Sequence, residues 1–414
     1  MRRPLRHRTI VWIALLAALA GFLGWRMLRP LNVFTISASF ARPVDTRNAP
    51  AMLGALHAQD CGKCHSAIYR EWRTSQHSRA WTDPYFQTDW HFDGAKQICR
   101  NCHTPLDRQQ EQTVLGFRDA DKWRPILAPN PAFDPVLQHE GVTCAACHLR
   151  EGKIRAPATY RPSASSPPHP IETIADPNEI CIRCHVVQNK RWDTFFRFPP
   201  CGTAAEIASN RGAVAHSGEY VVRGVQELGC VQCHMPAVVR PVVDGGAIRF
   251  GRRHLWRGGH DPAMVASALQ ASLTERPAPE PGARAFRLTL TNDGAAHYLP
   301  TGTPDRYLSV TWRLLGRDGR VLREQRDTME RTVLWRPFIV DLWDTRLPYR
   351  QPRNWEFRVA AHPAQAPAAL DVTVEYHLLH ESRRERIGYA NPEPIAYPVF
   401  HQQIDLQNHK PPAS

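Results

Sequence analysis

Cys61-Gly62-Lys63-Cys64-His65-Ser66-Ala67-Ile68-Tyr69-Arg70-Glu71-Trp72-Arg73-Thr74-Ser75-Gln76-His77 is the stretch on which the reading of this chain turns. Two cysteines stand three positions apart, and a histidine follows the second. The spacing returns as Cys99-Arg100-Asn101-Cys102-His103, Cys144-Ala145-Ala146-Cys147-His148, Cys181-Ile182-Arg183-Cys184-His185 and Cys230-Val231-Gln232-Cys233-His234. These five motifs take ten of the eleven cysteines, and the repeated histidine sets them apart from zinc ligands, dithiol centres and a disulfide framework. Thiols at this spacing add across the two vinyl groups of one haem, and the adjacent histidine then lies under the iron. The expectation is five covalently attached haem c groups, each iron held on one face by His65, His103, His148, His185 or His234.

The composition agrees. The 414 residues are 43% hydrophobic and 22% charged, which suits one to three globular domains rather than a disordered chain. Thirty-six prolines predict much irregular backbone, and a covalently held haem supplies the apolar core that such backbone lacks. Lys plus Arg is 52 against 39 Asp plus Glu, a net charge of +13. That excess does not indicate nucleic acid, because no compact basic stripe interleaved with aromatics accompanies it. The propionates of five haems would bring about ten negative charges for the arginines to face.

The N-terminus reads as an export element. Residues 9–25 (TIVWIALLAALAGFLGW) are uncharged and follow Arg2, Arg3, Arg6 and Arg8. A helix continued to Leu28 spans about 30 Å, with Arg26 close enough to its end to snorkel into head groups. The basic flank predicts a cytoplasmic N-terminus and a periplasmic remainder, in a single-pass protein of a bacterial inner membrane. An uncleaved anchor is the expectation, and a signal peptide cut near Ser37-Ala38-Ser39 is the alternative.

All cysteines fall before residue 262. The remainder alternates in period two, as in Arg284–Asn292 (RAFRLTLTN), 307–315, 355–359 and 370–376. The predicted fold class is therefore mixed: an N-terminal transmembrane helix, a mainly helical and irregular multihaem c domain, and a C-terminal antiparallel β-sandwich. The expected boundaries are a basic flank and anchor over 1–30, a tether over 31–50 and a pentahaem domain over 51–273. A Pro-rich linker over 274–283, a β-sandwich docking domain over 284–406 and a tail over 407–414 follow.

The second axial ligand separates a wire from a catalyst, since an iron with two histidines has no vacancy. Outside the motifs the haem region holds His57, His77, His91, His139, His169, His216, His254 and His260. The expected distal set is His77, ending the opening stretch; His139, five residues before Cys144; His169, between Pro168 and Pro170; His216; and His254. His57 and His260 are reserves, and ligation by Met52, Met235 or Met264 is less favoured. Cys201 reads as an ordinary buried thiol, with a haem-ligand role or an intermolecular contact as alternatives. Trp72, Trp81, Trp90 and Trp192 read as packing against porphyrin faces.

Residues 55–260 resemble the multihaem c-type cytochromes related to cytochrome c-554, hydroxylamine oxidoreductase and pentahaem nitrite reductase. The resemblance is carried by the first motif with Tyr69, Trp72, Ser75 and His77, by Asn101-Cys102-His103-Thr104-Pro105, and by Glu140-Gly141-Val142-Thr143-Cys144-Ala145-Ala146-Cys147-His148. It implies haems packed in close pairs that pass electrons along an array, with His77 as the ligand of the group's recurrent Trp-x-x-Ser-x-His. All five motifs here end in histidine, whereas the nitrite reductases of the group place a lysine at their active haem, and the crosslinking tyrosine of hydroxylamine oxidoreductase is not located here. Residues 291–302 (TNDGAAHYLPTG) resemble a motif of β-rich tails in some multihaem cytochromes, read here as a turn packing on the haem domain.

The functional expectation is a non-enzymatic relay, bound to lipid through its helix, moving single electrons between a membrane or periplasmic donor and a redox partner protein, with the sandwich as a docking surface. The alternatives are a reductase or oxidase of a small nitrogen or sulfur compound at one open haem, and a subunit of a larger cytochrome assembly or wire.

Overall fold

The computed structural model describes residues 7–28, 32, 34–38, 40–157, 169–185, 192–198, 200–210, 229–361, 363 and 366–407. A helical turn puts side chains at i, i+3 and i+4 on one face, which is the face a Cys-x-x-Cys-His motif needs. Gln97–His103, Cys144–His148, Glu179–His185 and Cys230–His234 are short helices that each end on the motif histidine. The first motif begins in Ala58–Gly62 and turns into Ser66–Trp72. Other helices start at Asp-Pro steps: Asp83, Asp134 and Asp261 accept N–H groups of Phe86, Leu137 and Met264, with proline in the first turn.

The helix-compatible stretch 64–77 is helical only to Trp72. The Thr74 and Ser75 hydroxyls donate back to the carbonyls of Glu71 and Trp72, which competes with helix continuation. Val142 N–H donates to the carbonyl of His77 at 2.9 Å, and the Trp72 indole donates to the carbonyl of Val142 at 2.8 Å. Gly141, at φ +62°, lets this crossing close up, because a Cβ there would sit 2.7 Å from the His77 carbonyl oxygen. That contact accounts for a glycine just before the third motif.

The haem-motif region is less purely helical than its sequence predicts. It carries the hairpin Gln112–Phe117 with Pro125–Pro129, the strands Leu149–Arg150, Lys153–Pro157 and Ile171–Ile174, and the hairpin Ala237–Pro241 with Ile248–Arg252. The expected tether belongs to it too. Ile36, Phe40 and Ala41 pack with Ile98, and Val44 bridges Leu106.

The C-terminal region holds two antiparallel sheets. One has the order Arg353–Val359, Arg284–Asn292, Leu269–Arg276; the other runs Val321–Met329, Tyr307–Gly316, Pro367–His377, Ala396–Asp405. Alternate residues of both sheets, including Phe286, Leu288 and Leu290 from one and Val310, Trp312, Val372 and Val374 from the other, bury a single core. The expected linker at 274–283 is not a linker. Thr274 to Arg276 complete a strand paired with Arg284–Asn292, leaving 277–283 as a hairpin loop. Val265 and Ala268, from the helix Pro262–Ala268, also join this core, so the boundary lies near Asp261. The proline-rich composition marks a turn between paired strands as readily as a connector.

The two regions interlock through Thr194–Phe195, which pairs in parallel with Ile339–Val340 of the three-stranded sheet completed by Arg331–Leu334. The helix His7–Leu28 is, by length and composition, able to cross a membrane.

Candidate functional site

A cavity of about 3140 Å³ runs through the motif region. All eleven cysteines line it, together with ten histidines: the five of the motifs and His77, His169, His254, His260 and His297. None of the cysteines is disulfide-bonded. The thiols lie near one another in pairs, Cys61 beside Cys144, Cys102 beside Cys184 and Cys181 beside Cys230. Cys147 lies in the electrostatic range of Cys184. The first motif therefore neighbours the third, the third the fourth, and the fourth both the second and the fifth.

Four of the five motif imidazoles are held in one protonation pattern. Nδ1 of His65 contacts the carbonyl of Val242 at 2.8 Å, that of His103 meets Ala80 at 2.6 Å, that of His148 meets Arg155 at 2.8 Å, and that of His234 meets Arg257 at 2.6 Å. A carbonyl only accepts, so Nδ1 carries the proton and the Nε2 lone pair is left for a metal. Nδ1 of His254 and of His297 meets carbonyls in the same way, Arg252 at 3.0 Å and Tyr298 at 2.8 Å.

Two imidazoles on opposite faces of one metal ion, each bonded at roughly 2.0–2.1 Å, have ring centres roughly 6–6.5 Å apart. The structure contains three histidine pairs at this separation. His77 and His185 are 6.3 Å apart, His148 and His254 are 6.2 Å apart, and His234 and His297 are 6.4 Å apart. His169 neighbours His65: burial first, and then the charge of His65, lowers its pKa. His77, deep in the cavity, is held down to about 3 by loss of water and by the imidazoles of His185, His234 and His103. Neutral imidazoles are the form that ligates a metal. Five Cys-x-x-Cys-His motifs around one cavity, its ten histidines and these separations together fit haem c.

His103 differs. Among the described residues no imidazole stands opposite it at the separation of the other pairs, and the Phe86 ring stacks on it at 3.5 Å and 7°. Cys201 lies in the electrostatic range of Cys99 and Cys102, Arg306 of Cys201, and His260 of Arg306. Burial raises the pKa of the Cys201 thiol, and its backbone N–H donates to the carbonyl of Gly302 at 3.3 Å.

The remaining sequence candidates lie elsewhere. His139, expected as a distal ligand, does not line the cavity; its exposed ring has Nδ1 on the carbonyl of Pro135 at 2.7 Å inside its own short helix. His57 also stays outside, its Nε2 on Asp134 at 2.8 Å. His216 falls outside the described residues. Of the tryptophans, Trp72 lines the cavity, whereas Trp192 packs on Phe22 of the N-terminal helix. Sequence reasoning missed His297 because it confined ligands to the cysteine-bearing region. The available signal was the stretch 291–302, where a histidine sits among turn residues.

Neighbours hold these histidines in place. Glu71 accepts the His254 backbone N–H at 2.9 Å and both nitrogens of Arg240 at 2.7 and 2.6 Å. The Trp256 ring meets His77 and His254 edge-on, at 4.9 and 5.1 Å. The segment carrying His297 is pinned by Glu206 of the helix Thr203–Asn210. This carboxylate accepts from Tyr298 N–H at 3.1 Å, the Thr301 hydroxyl at 2.6 Å and Arg346 at 2.7 Å.

The His57–Asp134 pair predicts a pH response away from the cavity. The hydrogen bond to Asp134 raises the His57 pKa, while Asp134 is lowered, hydrogen bonds from His57 and backbone N–H groups outweighing its burial. The His57 contribution is full below about 6.5 and lost as pH rises through its raised folded value; that of Asp134 is full above about 3.9 and lost as pH falls through its depressed value. Thermal melts of His57→Gln and the parent protein at pH 5.5 and 9 should differ more at the lower pH, and equal differences would refute the coupling.

Residues 60–122 match the family described as cytochrome c554 and c-prime. With the motifs and cavity above, this match supports a relationship to the multihaem c-type cytochromes and with it covalently bound haem c. Among solved structures it is similar to a penta-heme cytochrome c552 from Thermochromatium tepidum, at TM-score 0.57 and 20% identity, covering 84% of this chain and 97% of that one. A protein described as AvmM, which catalyses macrocyclization in alchivemycin A biosynthesis, aligns at TM-score 0.19 and 16% identity over 36% of this chain and 92% of its own, too weakly to carry an argument. No curated protein matches the chain.

Proposed function

We propose that the chain is a membrane-anchored, periplasm-facing pentahaem electron relay. The observation that carries this is the set of imidazole pairs at 6.2 to 6.4 Å, His77–His185, His148–His254 and His234–His297, with His65–His169 beside them. Bis-histidine iron has both axial positions filled and can only exchange electrons. The order of neighbouring thiols supports a route from the first motif through the third and fourth to the fifth, with the second flanking the fourth. Arg240, Arg252, Arg257 and Arg306 line the cavity, where propionates would meet them. A redox partner protein accepts or supplies the electrons, the C-terminal sheets offer it a docking surface, and the helix His7–Leu28 holds the array at the inner membrane.

Electron paramagnetic resonance on the oxidised holoprotein, quantified against total haem iron with and without nitrite or hydroxylamine, tests the reading. Wholly low-spin, ligand-insensitive iron is the relay's expected result.

A second reading rests on His103. With no imidazole opposite it at that separation among the described residues, and Cys201, Arg306 and His260 following in electrostatic range, its haem would be open to a small nitrogen or sulfur compound. A high-spin signal near one haem in five that shifts with nitrite selects this reading over the relay.

A further inference from the structure

We infer that the three-stranded sheet of Thr194–Phe195, Ile339–Asp344 and Arg331–Leu334 lies against the outer leaflet of the bilayer, so that the haem array is held in one orientation rather than swinging on a tether. The inference rests on the reading of His7–Leu28 as a membrane anchor. The docking of that helix carries it. Phe22 packs on Trp192 and Phe338 with ring centres 6.3 Å apart in both cases. Phe22 lies six residues before the helix end at Leu28, about 9 Å along the axis. Trp192 and Phe338 therefore sit at a depth that belongs to the apolar span. At the level of the head groups, Arg26 is buried in an ion pair with Asp193 at 3.0 Å, and the Arg336 side chain donates to the Met27 carbonyl at 2.6 Å.

The sheet beside this joint turns an apolar face outward. Leu334 pairs with Val340, which pairs with Phe195, and Thr332 pairs with Trp343. Directly paired residues share a face, and Thr332 and Leu334 are two apart on one strand, so Phe195, Leu334, Val340 and Trp343 all point to the same side. The irregularity at Leu342 is what brings Trp343 round to it. Phe195 and Trp343 are 56% and 57% exposed, and Leu334, which also lines the edge of the cavity, is 41% exposed, while the opposite face buries Ile339, Thr194 and the Arg331–Asp341 ion pair. An outward row of Phe, Leu, Val and Trp, continuous with a membrane-spanning helix and edged by arginines, has the chemistry of an interfacial lipid contact.

The test uses full-length holoprotein in nanodiscs of phosphatidylethanolamine and phosphatidylglycerol doped with a diazirine-bearing acyl chain, with photoadducts mapped by mass spectrometry. Adducts are expected on residues 10–25 and on Phe195, Leu342 and Trp343, at roughly tenfold the yield on Val239 and Ile248, which are more exposed and stand outside the cavity. Adducts on the helix with none on the sheet would overturn the inference and leave the anchor standing, as would a sheet shielded by a partner protein. A helix without adducts would overturn the anchor itself. The variant Leu334→Ser/Leu342→Ser/Trp343→Ser should lose adducts at Phe195 and keep those on the helix.

Discussion

Replacing His297 with alanine is expected to convert one haem iron in five from low to high spin, although the residue lies in the β-rich region, beyond every cysteine. His297 stands 6.4 Å from His234, ring to ring and 12° from parallel, with Nδ1 engaged by a carbonyl and Nε2 left for iron. Removing its ring takes the sixth ligand from the haem on Cys230 and Cys233 and leaves the thioethers and His234 in place. A high-spin fraction of about one fifth should appear in the electron paramagnetic resonance spectrum, bind added nitrite, and return to low spin with exogenous imidazole. An unchanged low-spin spectrum would mean that another residue supplies that ligand. A docking module would leave the irons indifferent to this substitution, so the result also decides whether the C-terminal sheets are accessory to the array or part of it.

The second large effect is expected at Glu206. Its side chain is 1% exposed, that of Arg346 is 3% exposed, and Arg346 also holds Asp344 at 2.7 Å. Breaking one member of such a buried network leaves a guanidinium incompletely compensated, a loss of about 3–5 kcal/mol. For regions of this size that lowers the melting temperature by about 10 °C. Glu206→Ala also frees Tyr298 N–H and the Thr301 hydroxyl, so the segment holding His297 loosens and part of the fifth haem should turn high-spin at temperatures where the parent stays low-spin. Glu206→Gln keeps an acceptor for those two donors and should lose less. A thermal midpoint within about 1 °C of the parent for Glu206→Ala would show that Asp344 alone compensates Arg346.

The charge balance has a structural counterpart. A net +13 invites an external polyanion, yet Arg240, Arg252, Arg257 and Arg306 turn toward the cavity, and Arg26, Arg331 and Arg346 are buried in ion pairs. Much of the excess faces inward, toward carboxylates of the chain and toward the cavity, where the propionates of the proposed haems would lie.

Covalent chemistry is local, and so it was legible. Thiols at i and i+3 followed by histidine at i+4 share one helical face whatever the surrounding fold, so spacing alone singled out the ten cysteines and five histidines that the structure gathers around one cavity. The period-two alternation of Arg284–Asn292 marked a strand for the same reason, and the length of the first apolar run marked a helix. The second ligand of each iron is a relation between segments far apart in sequence, and the chain alone does not encode it by any spacing. His139, five residues before a motif, is held by its own helix, while His297, 63 positions after His234, is brought to it by Glu206 and the pairing of two sheets. The boundary at Thr274 shows the same limit: proline and glycine announce a turn, but whether it joins two domains or two strands depends on what the flanking residues pair with, and only the tertiary structure supplies that partner.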